Sequence, residues 1–305
     1  MPEKEQVFRI RGVVLRCADT GDTDRMLTIL TQEEGKLSVF AKGVRKLTAA
    51  SLSACQPFAY ADFLLRRGRD YCYLRESATI ETFHGICQSL SAQALAVYLC
   101  EAAEEMTYPG GESGDLLRLV LNTLWTLAGE KKPEYLVKGA FELRAAAISG
   151  YMPELRVCCA CGNADVGGSA VLDVMNGRIF CARCFDALYD TKMPQSNPYD
   201  DRPPTDETGT AFVPRRVLPE ALDAMRYILS APAKRQFSFT VPHAAAGGFS
   251  RACEDYLLSH IGHGYASLGY YKSTAEMLRS MEEMAAGLGK NTGSASFPAS
   301  EEDKG

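Results

Sequence analysis

The 305-residue chain has no run of 18 or more apolar residues, which excludes a membrane-spanning helix on its face. The opening MPEKEQ lacks a basic-then-apolar leader, so secretion is not expected. There is no GxxxxGK[ST] loop to cradle phosphates, so nothing supports ATP hydrolysis. Neither H-x-E nor H-E-x-x-H occurs, which removes the nucleobase-deaminase and metalloprotease patterns. The four histidines (His84, His243, His260 and His263) read as ordinary core or surface imidazoles. No repeat of 20–50 residues is present. An excess of positive charge is also missing: 33 Lys and Arg stand against 38 Asp and Glu, a net of −5. A chain that coats nucleic acid over its whole surface is thereby excluded, but a local basic face is not.

The distribution of charge carries more information than the total. Residues 36–75 hold eight basic and two acidic residues, whereas the chain beyond residue 80 carries a net of −8. Lys42, Arg45 and Lys46 follow one strand pattern, and Arg66, Arg67 and Arg69 sit in the turn RRGRD before another. Arg25 opens a further strand candidate. Cations in such loops supply sequence-independent contacts to phosphates. Phe40, Phe58, Tyr60, Phe63, Tyr71 and Tyr73 interleave with them; some must fill a core, and the rest are available for base stacking. The competing reading is a solvated loop with ordinary charges.

Five short strand patterns occupy the first eighty residues, among them Val7–Arg16, Arg25–Leu30 and Lys36–Ala41, in which Leu37, Val39 and Ala41 share one face. Gly12 inside the first marks a bulge or bend. A small barrel of OB type fits the count, and an SH3-like barrel fits the periodicity almost as well. After residue 86 the period becomes 3.6: Leu95, Leu99, Ala102 and Met106 form one helix stripe, and Leu117, Val120, Leu121, Leu124 and Trp125 a second. Leu136, Ala140, Leu143 and Ala147 form a third, with Pro133 at its start and Gly150 at its close. The expected class is α+β multidomain, an N-terminal barrel followed by an all-helical domain with a cysteine-bearing insertion. The expected divisions are 1–82 barrel, 83–150 and 218–286 helical, 151–190 cysteine segment, 191–217 irregular loop and 287–305 disordered tail.

Eleven cysteines occur. Cys17, Cys55, Cys72, Cys87, Cys100 and Cys253 are scattered and read as small buried side chains. Cys158, Cys161, Cys181 and Cys184 form C-x2-C-x19-C-x2-C. Two thiolates three positions apart share one ion when the backbone turns tightly between them, and two such turns complete a tetrahedron around zinc. Gly162 supplies a position tolerant of positive φ after the first pair, and Phe185–Tyr189 reads as a helix start after the second. One structural Zn2+ is the expectation, since four sulfurs leave no open position for catalysis. A redox switch is the rival reading, with Arg156, Arg178 and Arg183 near enough in sequence to activate thiols. Cys159, between the first two ligands, is expected to point elsewhere.

The segments Arg11–Leu15 (RGVVL), Gly21–Leu30 (GDTDRMLTIL), Gly35–Lys46 (GKLSVFAKGVRK), Gln56–Phe58 (QPF) and Leu74–Glu76 (LRE) resemble the N-terminal domain of the bacterial DNA repair protein RecO family. The resemblance continues through Gly150–Gly162 (GYMPELRVCCACG), Gly177–Cys184 and Tyr256–Ser267. It implies an N-terminal OB fold, a C-terminal helical domain, and a non-enzymatic protein that binds single- and double-stranded DNA and anneals complementary strands. It further implies partnership with RecR, with the single-stranded-DNA-binding protein and possibly with RecF, in loading RecA during gap repair and homologous recombination. A cytoplasmic, nucleoid-associated location follows from that role. By the same resemblance, Cys158, Cys161, Cys181 and Cys184 match the zinc ligands, and Lys42–Lys46 the DNA-contacting loop. A zinc-stapled protein–protein adaptor and a thiol redox sensor are the alternatives from other classes.

Overall fold

The computed structural model describes residues 6–46, 49–189 and 212–291. The first strand, β1 (Val7–Thr20), is long enough to serve two neighbours. Its first half pairs with β4 (Tyr60–Arg67), its second half with β2 (Asp24–Thr31), and both pairings run antiparallel. Gly12 lies where the two registers overlap, opposite Thr31 on one side and Ala61 on the other. A Cβ there would meet Ile29 at 2.5 Å and the Leu30 carbonyl at 2.6 Å, so the close approach of β2 requires glycine, whereas the expected bulge falls later, between Val14 and Arg16. β3 (Lys36–Ala41) follows β2, and β5 (Cys72–Glu81) pairs antiparallel with β4 and parallel with β3. The closed order β1-β2-β3-β5-β4, with one parallel contact, is the OB arrangement; an SH3-like barrel does not close this way.

Alternation explains why four consecutive residues of β1 are buried. Val14 points into the barrel with Leu27, Ile29, Val39 and Phe63. Val13 and Leu15 point outward into a second core, shared with α1 (Leu90–Glu105), α2 (Gly114–Ala128), α3 (Glu134–Ile148) and α7 (Ala266–Asn291). The barrel is thus packed onto the helices through its first strand. On α2, Leu117, Val120 and Leu124 are buried as their spacing predicts, but Trp125 is 55% exposed, with the Lys131 ammonium 5.2 Å from its ring. One residue past Leu124 turns a side chain by about 100°, out of the stripe.

A third core lies between α3, α5 (Pro219–Ser230), α6 (His243–Ile261) and a four-stranded sheet of order β6-β8-β7-β9. Its strands are β6 (Glu154–Cys158), β7 (Ala170–Asp173), β8 (Arg178–Cys181) and β9 (Pro214–Val217), and α4 (Ala182–Tyr189) follows β8 directly. The expected irregular loop 191–217 is therefore corrected at its end. Residues 214–217 pair with β7, an edge supplied from more than forty residues away and invisible to local pattern; Pro214 sits at the first strand position, where no ladder donor is needed. The expected tail is also corrected: residues 287–291 continue α7. Glycines inside a helix cost only about 1 kcal/mol each, which a helix docked on α1 tolerates. Residues 191–211 and 292–305 of those two expectations, and residue 190 of the cysteine segment, lie outside the described residues. No helix among the described residues is long and apolar enough to cross a membrane.

Candidate nucleic-acid interface and metal centre

The loop after β3 is built by hydrogen bonds to the β1–β2 turn. Gly43 adopts φ +66°, and its amide donates to Asp24 Oδ1 at 2.7 Å. That bond holds the Asp24 carboxyl below its ordinary value, with Lys42 and Lys46 adding a smaller pull. The Arg45 amide donates to the Thr23 carbonyl at 2.9 Å, and Val44 is buried in the barrel. The result is a pinned loop that turns Lys42 and Lys46 to solvent, with no ion pair to either among the described residues.

The other predicted cations divide sharply. Arg25 is only 14% exposed; it donates to Asp19 Oδ1 at 2.8 Å, to the Cys55 carbonyl at 3.1 Å and to Gln56 Oε1 at 3.3 Å. Arg45 bridges to Asp19 at 3.2 Å and donates to the carbonyls of Gly21 and Asp22. Arg67 pairs with Glu34 at 2.7 Å and covers the Phe8 ring. Arg66 stacks its guanidinium 4.2 Å from the centre of the Tyr73 ring. Arg69, in the β4–β5 turn, is exposed and has no ion pair among the described residues.

The aromatic residues divide just as clearly. Phe58 and Phe63 are core, and Tyr60 packs against the helical core. Phe40, Tyr71 and Tyr73 remain half-buried on the outside of the β3–β5 contact, with ring centres 5.1–6.2 Å apart. The parallel register Phe40↔Tyr73 puts Lys42 one residue past the end of β3, two beyond Phe40, and Arg69 in the turn before β5, two ahead of Tyr71, so the trio lies between them in strand order. A stripe of cation, three rings and cation spans about six strand residues, about 20 Å. Chemically, cations at the ends of such a stripe suit phosphates and exposed ring faces between them suit bases, with one face of Tyr73 already covered by Arg66.

At the other end of the molecule the sulfurs of Cys158, Cys161, Cys181 and Cys184 all lie within 4.8 Å of one another. Thiolates at about 2.3 Å from a tetrahedral zinc are about 3.8 Å apart, so the donor set fits such an ion. The turns are those the spacing predicts. The Gly162 amide donates to the Cys158 carbonyl at 2.8 Å, with Gly162 at φ +72°. The amide of Cys181 donates to the Cys158 sulfur at 3.3 Å, and the amide of Cys184 to the Cys181 sulfur at 3.4 Å. Burial raises the Cys158 thiol, but the amides of Cys181, Cys161 and Ala160 outweigh it and bring it down to about 6. Cys184, sharing hydrogen bonds with Cys181 and Cys161, is pushed up to about 12. Amides aimed at sulfur stabilise thiolate, the form that binds a metal. Cys159 stays outside the group; its amide joins β8 through the Ile179 carbonyl. Arg156 is paired with Glu154 and Arg178 with the buried Asp173; burial holds the Cys159 thiol above its ordinary value, outweighing the pull of Arg178 on it. Of the scattered cysteines, Cys55, Cys72, Cys100 and Cys253 are buried and Cys17 half-buried, whereas Cys87 is exposed.

Sequence comparison places this geometry. Residues 6–83 match the family profile described as recombination protein O N terminal, and residues 87–187 the one described as recombination protein O C terminal. The DNA repair protein RecO of Desulforudis audaxviator is 35% identical over 179 residues, covering 59% of this chain and 71% of that protein. The RecO of Pelotomaculum thermopropionicum is likewise 35% identical, over 59% of this chain and 69% of its own. The RecO of Acetivibrio thermocellus is 23% identical over 266 residues, 87% of this chain and 96% of that protein. With an OB-ordered barrel under the first match and a four-cysteine centre inside the second, the chain belongs to the recombination protein O (RecO) family.

Proposed function

We propose that this protein is a DNA-binding recombination mediator that binds single- and double-stranded DNA, anneals complementary strands and helps load RecA in gap repair and homologous recombination. Its partners in that role are RecR and the single-stranded-DNA-binding protein, with RecF a further one, and its place is the cytoplasm, on the nucleoid. It performs no covalent chemistry in this reading. The observation that carries the proposal is the barrel face: the half-buried Phe40, Tyr71 and Tyr73, with Lys42 and Arg69 at either end and Lys46 in the same loop as Lys42, all three cations exposed and free of ion pairs among the described residues. Phosphates held at the ends fix a strand without reading its bases, and stacking on any base is tolerated. Strands so held have their mutual repulsion reduced and their pairing edges exposed. Arg25, Arg45 and Arg67 support that surface through Asp19 and Glu34.

Cys158, Cys161, Cys181 and Cys184 would hold Zn2+, which supplies a cross-link between the two ends of the β6–β8 segment and no catalysis. The test is single-stranded DNA affinity and strand annealing, with and without a coat of single-stranded-DNA-binding protein, for Lys42→Glu/Lys46→Glu and for Tyr71→Ala/Tyr73→Ala. Each pair is expected to lower affinity at least tenfold and to slow annealing in parallel. Unchanged affinity in both variants would reject the barrel face as the DNA site.

A further inference from the structure

Away from the barrel, an open groove of about 870 Å³ runs between α6 and α7, with β9 and the first turn of α3 at its edges. Its floor on α6 is made of small side chains, Ala244, Ala246, Gly247 and Ser250. Its walls carry four cations, Arg215, Arg251, Lys272 and Arg279, against two carboxylates, Glu254 and Asp255. Lys272 pairs with Glu254 and Arg215 with Asp255. Arg251 and Arg279 are exposed and make no ion pair among the described residues. The groove therefore carries an uncompensated charge of two in a protein whose net charge is −5.

From this we infer that the α6–α7 groove is a binding site for a second single strand of nucleic acid. The inference rests on the DNA-binding reading of the barrel and adds what annealing by one chain requires, two strands held at once. Three features select this occupant. The first is length: Ala244 to Asp255 is about 16 Å of helix, and Lys272 to Arg279 about 10 Å. The four cations come from β9 (Arg215), α6 (Arg251) and α7 (Lys272 and Arg279), a spread that matches a linear polyanion, whereas one phosphate needs them converging on a point. The second is size, because an open groove of about 870 Å³ is far larger than one phosphate fills. The third is composition, since a glycine and alanine floor lets a backbone come close, and Tyr135, 38% exposed, offers a ring at the edge.

The full-length protein bearing one labelled oligothymidylate is titrated with a second carrying the partner fluorophore, and energy transfer reports two strands on one molecule. Gly247→Glu puts a carboxylate into space where a Cβ meets nothing within 4 Å, so the fold has no reason to change. Arg251→Glu/Arg279→Glu alters only exposed side chains. Both variants are expected to bind the first strand within twofold of the wild type, to bind the second at least tenfold more weakly, and to anneal correspondingly slowly. Undiminished second-strand binding in both variants overturns the inference while leaving the barrel reading intact. A wild-type protein that binds no first strand removes the barrel reading, and this inference falls with it. A poly-glutamate peptide that displaces the second strand as well as oligothymidylate of equal charge makes the groove a site for an acidic protein segment, which also overturns it.

Discussion

Arg25 and Lys42 lie within one basic stretch of sequence and have opposite fates. The Arg25 guanidinium turns inward to Asp19, Cys55 and Gln56, whereas the Lys42 ammonium faces water. Hydrogen bonds to a charged, mostly buried group contribute about 1.5–3 kcal/mol, so Arg25→Ala should lower the urea-unfolding free energy by about 2 kcal/mol. At temperatures where the variant is folded, its DNA affinity should stay within twofold of wild type; a large loss there would return Arg25 to the contact set. The type and clustering of these cations were legible in the sequence. Their pairing was not, because Asp19 and Glu34 reach Arg45 and Arg67 only through barrel register. The same holds for the rings: Leu37, Val39 and Ala41 alternate inward as their pattern predicts, but only the parallel β3–β5 contact gathers Phe40, Tyr71 and Tyr73.

Elements are tied together in two places where local pattern gives different amounts of warning. The cysteine spacing announces the four-sulfur centre fully, because tight turns fix it locally, while the β9 edge that completes its sheet is long-range and silent. Cys158→Ser/Cys161→Ser should abolish the zinc binding proposed for this centre and lower the thermal midpoint together, since metal binding and local folding are one equilibrium. Metal analysis beside calorimetry checks this, and stoichiometric zinc in the purified variant would contradict it. The second tie is a buried charge network that no periodicity reveals. Lys138 of α3 lies 3.0 Å from Glu142 and 2.7 Å from Glu254 of α6; Tyr98 of α1 donates to Glu142 at 2.8 Å, and Lys272 of α7 pairs with Glu254. Burial drives the Glu142 carboxyl up to about 7 despite the attraction of Lys138. A carboxyl raised in the folded state makes that state bind protons more tightly, so its effect is to lower stability as pH rises from 4.5 to about 7. Glu254, by contrast, is held below its ordinary value, with Lys138 and Lys272 overcoming its burial, so its contribution is lost only at still lower pH. Glu142→Gln should therefore flatten the fall in thermal midpoint between pH 5 and 7; parallel pH profiles for variant and wild type would refute the assignment.

At the scale of the whole molecule, an acidic body carries a short basic stripe, and that asymmetry makes salt the informative variable. A net negative body with a local cationic face orients a polyanion before contact, and does so more strongly at low salt. Each phosphate neutralised on a single strand contributes a slope of about −0.7 to the dependence of log affinity on log salt. Three free cations on the barrel, Lys42, Lys46 and Arg69, therefore set an expected slope of about −2 for the first strand. Lys42→Glu/Lys46→Glu should reduce its magnitude to about 0.7, while Tyr71→Ala/Tyr73→Ala should weaken binding at every salt concentration and leave the slope alone, because stacking releases no counterions. Affinities measured by fluorescence anisotropy across a tenfold range of salt separate the two kinds of contact. A slope near zero in the wild type, or an equal change of slope in both variants, would mean that phosphates are not what the barrel holds.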